Sequence, residues 1–125
     1  MKIRTILLAL IYITLFSCAP SKRFASRTEG KLVGYATYYG PGFHGKKTAS
    51  GEVFDMYKMT CAHRTLPFGT MLLVTNLSNN KSVKVRVNDR GPFIEGVILD
   101  LSKGAADKIG LKKGQVEIKI FSLGR

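Results

Sequence analysis

The sequence predicts a mostly β domain closed into one small barrel. Three observations carry that expectation. Short runs alternate apolar and polar residues, most clearly Val83-Lys84-Val85-Arg86-Val87 and Gln115 to Phe121, which is the two-residue period of half-buried strands. Thirteen glycines and several turn-forming clusters punctuate the chain, and long helical patterns are few. A weak internal repeat runs at an offset of 45: Phe54-Asp55-Met56 aligns with Leu99-Asp100-Leu101, Leu66 with Leu111, Gly69 with Gly114 and Met71 with Val116. Two similar halves, each with a short helix, would close one barrel and remove exposed strand edges.

At 125 residues the chain has room for one such domain. Leu32 to Tyr39 reads as the first strand, with Val33, Tyr35, Thr37 and Tyr39 on one face. Gly40 to Glu52 follows as a loop with four glycines, a proline and two lysines, and no period. A loop that long in a small domain points to function. Tyr38, Tyr39 and Phe43 give it aromatic edges, suited to a sugar or a nucleic acid, or to plain core filling. Met56 to Arg64 is a short helical candidate, ended by Thr65-Leu66-Pro67-Phe68-Gly69. Met71 to Asn76 is a strand, Ser78 to Lys81 a hairpin turn, and Ser82 to Asn88 the returning strand. Val97 to Leu101 is another strand. Ser102 fits as N-cap of a helix over Lys103 to Ile109 that stops at Gly110, and Gln115 to Phe121 is the last strand. Asp55 and Asp100 are expected to be structural, bonding nearby turn amides.

The N-terminus reads separately. Met1 to Arg4 is a short basic stretch, and Ile6 to Phe16 carries no charge. That run is shorter than the roughly 20 apolar residues of a membrane span, and it fits a signal peptide over residues 1–17. Leu15-Phe16-Ser17-Cys18 resembles a lipobox, which implies cleavage before Cys18 and its lipidation. An ordinary secretory signal and an uncleaved anchor are the other readings. The absence of Asp after Cys18 favours the outer membrane, with the domain facing the periplasm. Residues 18–30 are polar and basic without period and read as a tether, so the domain begins near Lys31. With Cys18 lipidated, Cys61 is the one thiol left, a buried small residue rather than a nucleophile.

Net charge is +12, or +10 once Lys2 and Arg4 leave with the leader. Such a balance favours polyanionic partners: nucleic acid, anionic lipid or cell-wall polymer. The export signal argues against nucleic acid. Two histidines and no ligand-spaced cluster argue against a metal, and no cofactor is expected.

The ionisable candidates collect around one strand end. Asp89 sits where Val83–Val87 runs into Asn88-Asp89-Arg90-Gly91-Pro92, flanked by Arg86 and Arg90; capping its own turn is the plainer reading. Glu52 ends the glycine-rich loop, His63 ends the first helical candidate, and His44 lies in a neighbouring loop.

Several motifs here resemble the rare lipoprotein A (RlpA) family: Tyr38-Tyr39-Gly40, Phe43 to Glu52, Ala62 to Thr70, Val74 to Leu77 and Val87 to Phe93. The resemblance spans Gly34 to Ile120. It implies a six-stranded double-psi β-barrel, shared in outline with expansins, and an endolytic peptidoglycan transglycosylase acting on glycan strands that lack stem peptides. By motif it makes Asp89, His63 and Glu52 the catalytic set. It places Tyr38, Tyr39, Phe43, His44, Thr48 and Arg90 along the substrate. Glycan strands, the membrane through Cys18, and the cell-division machinery are the implied partners. Many members append a peptidoglycan-binding SPOR module, and no such module is expected after residue 125. Cys61 stands where alanine is more usual.

The chemistry is coherent with these residues. Cleaving a MurNAc–GlcNAc bond needs an acid for the leaving oxygen. A lytic transglycosylase then uses the MurNAc C6 hydroxyl as nucleophile, leaving a 1,6-anhydro end. One residue, Asp89, is expected to serve as acid and then base. Arg86 and Arg90 oppose the acid role, because cations favour the charged carboxylate. A non-catalytic, expansin-like wall-binding module would use the same cleft.

Overall fold

Apolar residues at every second position of four runs decide the architecture. The computed structural model describes residues 30–125; the expectations for the leader, for Cys18 and for the tether up to residue 29 lie outside the described residues. Six strands appear: β1 (Leu32–Tyr39), β2 (Thr60–Ala62), β3 (Met71–Asn76), β4 (Ser82–Asp89), β5 (Val97–Ser102) and β6 (Gly114–Ser122). One helix, α1 (Lys103–Lys108), lies between the last two. The strands close into a barrel in the order β1-β5-β2-β4-β3-β6. Leu72 and Val74, Val83, Val85 and Val87, Leu99 and Leu101, and Val116 and Ile118 point inward. Ala36 and Cys61 fill the tight places between them. Each fully buried Val or Leu contributes about 1.5–3 kcal/mol, so this interior holds the barrel together.

The two halves are related by the strand pairing. If β1, β2 and β3 are laid on β4, β5 and β6, the parallel pair β1–β5 maps onto β4–β2, and the antiparallel pair β1–β6 onto β4–β3. The antiparallel pairs β2–β5 and β3–β6 map onto themselves. The fixed repeat offset does not survive, however. β1 and β4 begin at residues 32 and 82, 50 apart, whereas β3 and β6 begin at 71 and 114, 43 apart. The halves share pairing, while their connections differ in length.

The helix expected over Met56 to Arg64 is absent; turns lead into the short strand β2. The reason is visible in the backbone bonding. The carbonyl of Met56 accepts from Gly104 N–H (2.7 Å), that of Lys58 from the Ser102 hydroxyl (2.5 Å), and that of Met59 from Arg86 N–H (3.1 Å). Carbonyls taken by distant elements cannot serve amides four residues on, as a helix requires. Tertiary bonding overrides a weak local preference.

The other elements lie where the pattern places them. Ser102 caps α1 by accepting from Ala105 N–H (3.2 Å), and Gly110, at φ +63°, ends it in the left-handed conformation that glycine adopts without strain. Gly104 is packed so closely that an added Cβ would lie 2.6 Å from the Tyr57 carbonyl oxygen. Gly104→Ala is expected to destabilise the domain by roughly 1–3 kcal/mol, read from urea unfolding midpoints at unchanged slope.

Candidate active site

Strict alternation along β4 would put Asp89 on the same face as Val83, Val85 and Val87, inside the barrel. It does not go there, because the ladder to β2 is bulged. Cys61 pairs with Val87, but Ala62 pairs with Asp89, so Asn88 is an extra residue on β4. The bulge shifts the parity by one and turns Asp89 to the outer face. Ala62 also pairs with Asp100 of β5, and Asp100 with Thr37 of β1. Thr37, Asp100, Ala62 and Asp89 therefore form one row across four strands, with the two carboxylates on either side of a small alanine.

Asp89 is held as an acceptor. Its Oδ1 receives N–H bonds from Ala49 (2.9 Å) and Arg90 (2.8 Å), and its Oδ2 receives the Tyr39 hydroxyl at 3.4 Å. The first bond docks the glycine-rich loop onto the strand end. Ser50 N–H adds a bond to the Asn88 carbonyl, and the loop is closed on itself by Thr48 N–H to Glu52 carbonyl (2.7 Å) and by Gly51 at φ +89°. Tyr39 is fixed by stacking on Phe54, centroids 4.4 Å apart, with Phe43 edge-on at 5.6 Å. Burial, with Asp89 and Asp100 as neighbours, holds the Tyr39 phenol well above its ordinary range. It is a proton donor to Asp89 at any ordinary pH.

Neither flanking arginine neutralises Asp89. Arg86 makes a fork with Glu52, Nη1 to Oε1 at 2.5 Å and Nη2 to Oε2 at 2.9 Å. Arg90 donates through Nη1 to the carbonyls of His63 (3.2 Å) and Leu66 (2.8 Å), and its guanidinium lies 3.9 Å above the Phe68 ring. Arg90 thus fastens the β2–β3 connection. Glu52 also accepts from Asn88 Nδ2 (3.3 Å). Hydrogen bonding to Arg86 holds the Glu52 carboxyl below its usual range, against a smaller effect of burial. Glu52 anchors the loop to β4 as an ionised carboxylate.

His63 follows the end of β2 rather than a helix. Its Nδ1 accepts N–H bonds from Thr65 (3.1 Å) and Leu66 (3.0 Å), so the neutral ring carries its proton on Nε2. Burial first, then Arg90 and Arg64, pushes its pKa down. No side-chain bond joins His63 to Asp89; the two residues meet through His63 N–H and the Asp89 carbonyl (3.1 Å).

The expected substrate residues divide. Tyr38 and Phe43 are exposed. Thr48 is buried with its hydroxyl on Ser50 (2.8 Å), and Tyr39 is committed to Asp89. His44 accepts Met56 N–H through Nδ1 (3.2 Å) and stands edge-on to Tyr57.

Two features were missed from the sequence. Asp100, expected to be structural, bonds no turn amide; its Oδ1 accepts the Thr37 hydroxyl at 2.9 Å. Asp55 does bond a turn amide, that of Tyr57 (2.9 Å). Burial chiefly, and Asp89 in addition, raise the Asp100 pKa, with the Thr37 bond opposing them. The signal for it was a lone Asp at the fourth position of a strand, directly after three apolar residues. The other feature is Phe93, 83% exposed on the loop after Asp89. Arg64 fixes that loop from below through the carbonyls of Pro92 (2.7 Å), Ile94 (3.1 Å) and Val97 (2.6 Å). Among the described residues no group of three or more His, Cys, Asp or Glu is arranged to hold a metal.

The site is thus a carboxylate pair on the flank of a six-stranded double-psi β-barrel, the class to which the comparisons also lead. A family model described as "Lytic transglycolase" matches residues 31–120, and the chain belongs to that family. It is 53% identical over 92 residues to the endolytic peptidoglycan transglycosylase RlpA of Campylobacter jejuni, covering 73% of this chain and 34% of that protein. To the protein of the same name in Pseudomonas aeruginosa it is 52% identical over 91 residues, 72% of this chain and 27% of that one. The chain spans about a third or less of the length of these relatives. Among solved structures, the apo expansin of Clavibacter michiganensis superposes with a TM-score of 0.60 at 22% identity, over 77% of this chain and 52% of that one. The Streptomyces papain inhibitor does so at 0.58 and 23%, over 73% and 94%. At these identities the likeness is one of fold.

The His63 geometry has a direct test. Because its folded pKa is depressed, its contribution to stability is present above the unfolded value of about 6.5 and is lost as pH falls through the folded value. Long-range 1H–15N NMR should give the Nε2–H form and a midpoint below that of a free histidine. A midpoint at or above it would contradict the two amide bonds at Nδ1.

Proposed function

We propose that this chain is a peptidoglycan lytic transglycosylase that cleaves MurNAc–GlcNAc bonds, prefers strands without stem peptides and leaves 1,6-anhydro-MurNAc ends. The observation that carries this is Asp89, a carboxylate fixed at a strand end by two main-chain N–H groups and a tyrosine hydroxyl. Family membership supplies the substrate class. In this reading Asp89 takes the proton of the MurNAc C6 hydroxyl as O6 attacks C1. Asp89 acts as base, in place of the expected double role as acid and base, because all its described hydrogen bonds are accepted ones. His63, neutral with Nε2–H free, donates to the sugar. Glu52 keeps the loop seated and positions Ala49 N–H against Asp89 rather than moving a proton itself. Phe93 and Phe43 offer exposed ring faces for the sugars on either side of the cut bond.

Purified domain incubated with peptide-free glycan strands should release anhydro-muropeptides detectable by mass spectrometry. Asp89→Asn should lower that rate by at least ~100-fold, and Glu52→Gln by less. Phe93→Ala should raise KM several-fold with little change in kcat, as expected for loss of stacking worth about 1 kcal/mol. No anhydro product from the wild type would leave the non-catalytic, wall-binding alternative standing.

The full chain is proposed to be lipid-anchored through Cys18 in the outer membrane, facing the periplasm. Cells given radiolabelled palmitate should label the wild type and not Cys18→Ala. Equal labelling of both would exclude that anchor.

A further inference from the structure

A chain that prefers glycan without stem peptides must tell a free lactyl carboxylate from one capped as a peptide amide. The difference is one negative charge on each MurNAc. We infer that the pocket beside the start of β6 is a glycan subsite that reads this charge through Lys112 and Lys113. This rests on the reading of peptide-free glycan as substrate and names the part of the chain that selects it.

The pocket has a volume of about 460 Å³, and Tyr35, Leu77, Leu111, Lys112, Lys113 and Gln115 contribute to its lining. This composition suits an acidic sugar. Tyr35 is 47% exposed and Leu77 40%, so large apolar surfaces stand open beside two exposed lysines. An aromatic face next to a few placed polar groups is a common way to hold a small polar ring. No acidic residue lines the pocket, and neither lysine has an ion-pair partner among the described residues. Both charges are left for a ligand.

The walls are preformed. Asn76 is buried; its Nδ2 donates to the Ile109 carbonyl (2.8 Å), and its Oδ1 accepts from the Ser78 N–H (3.0 Å) and hydroxyl (2.9 Å). Asn79 Nδ2 donates to the same Ile109 carbonyl (2.9 Å), and Leu77 N–H to the Gln115 carbonyl (3.1 Å). The β3–β4 turn is thereby tied both to the end of α1 and to β6. After Gly110 turns the chain, Leu111 is buried, and Lys112 and Lys113 are exposed.

Tyr35 connects this pocket to the Asp89 site. Tyr35 and Thr37 stand on the same outer face of β1, two positions or about 7 Å apart. Thr37 begins the row that ends at Asp89. A glycan strand that lies over the row and turns towards the start of β1 meets Tyr35 next, and then the lysines. A sugar held there is away from the cut bond. The pocket therefore acts on which strand is bound and not on proton transfer.

Peptide-free strands, compared with the same strands after their lactyl carboxylates are coupled to methylamine, separate charge from bulk. The full chain should show a KM about fivefold lower for the free-acid strands, an advantage that fades as salt screens it. Lys112→Gln combined with Lys113→Gln should remove that advantage and keep kcat within about twofold of the wild type. Lys84→Gln combined with Arg125→Gln removes as much charge outside the pocket and should retain the advantage. Isothermal calorimetry on Asp89→Asn, with and without the two lysine changes, should give the same pattern in Kd without cleavage. Wild type indifferent to capping overturns the pocket alone. So does a lysine double variant that keeps the wild-type ratio, or a ratio lost equally in the Lys84 and Arg125 variant. Wild type that forms no anhydro ends overturns the transglycosylase reading, and the calorimetric ratio still decides the pocket.

Discussion

One extra residue in a ladder sets up the site. Without Asn88 as a bulge, β4 would keep its two-residue period and bury Asp89 beside Val87, where a carboxylate without a partner would not be tolerated. With it, the period that fills the barrel with Val83, Val85 and Val87 ends one step early and the next side chain faces out. The same strand therefore packs the core up to Val87 and presents a carboxylate to the outer face at Asp89. Asn88 is itself buried, and its amide group binds Glu52, so the bulge is also where the glycine-rich loop is attached. The conformation of the loop and the direction of the carboxylate are consequences of one local irregularity.

The charges around this point are arranged so that the cations bond neighbouring groups rather than the two carboxyl groups. Arg86 is occupied by Glu52, Arg90 by two carbonyls and a phenyl ring, and Arg64 by two carbonyls of the β4–β5 loop and that of Val97 at the start of β5. Each planar fork suits several acceptors at once, which lysine cannot match. The apparent conflict in the sequence, a carboxyl between two arginines, is resolved by direction. The guanidinium groups of residues 86 and 90 are engaged elsewhere, and what reaches Asp89 from Arg90 is its backbone N–H. The exposed Arg86–Glu52 pair adds little stability by itself. Its value is positional, since it fixes the loop that brings Ala49 N–H to Asp89.

Much of this was legible in the sequence because it depends on period and turn chemistry. Alternation found β3, β4, β5 and β6, and Ser102 and Gly110 marked both ends of α1. Motif resemblance brought Asp89, His63 and Glu52 into one neighbourhood. Local pattern failed where non-local bonds decide. Met56 to Arg64 has the composition of a helix, but Gly104, Ser102 and Arg86 take its carbonyls, and none of the three is near it in sequence. Asp100 looked like Asp55 because both lie between apolar residues. Only the register of β5 against β1 and β2 shows that one bonds its own turn and the other faces Asp89. A bulge leaves no mark in a single sequence, so the alternation through β4 could not show which face Asp89 takes.

The pairing symmetry explains why two carboxyl groups meet here. β2 and β5 cross as partners of each other, and each is flanked by a parallel neighbour, β4 and β1 respectively. Asp89 and Asp100 both come from the second half, 11 positions apart yet two strands apart in space, and Ala62 and Thr37 of the first half lie beside them in the same row. Ala62, between them, is itself buried. Thr37 and Tyr39, on the same outer face of β1, complete the arrangement by giving each carboxyl its own hydroxyl donor, Thr37 to Asp100 and Tyr39 to Asp89. The near-symmetric frame makes Asp89 the counterpart of Thr37, and Asp100 the counterpart of Ala62. What distinguishes the two carboxyl groups chemically is the pair of main-chain amides, Ala49 of the loop and Arg90, that bond Asp89 and not Asp100. The asymmetry of the site comes from the inserted segment between β1 and β2, the part of the chain that the repeat does not share.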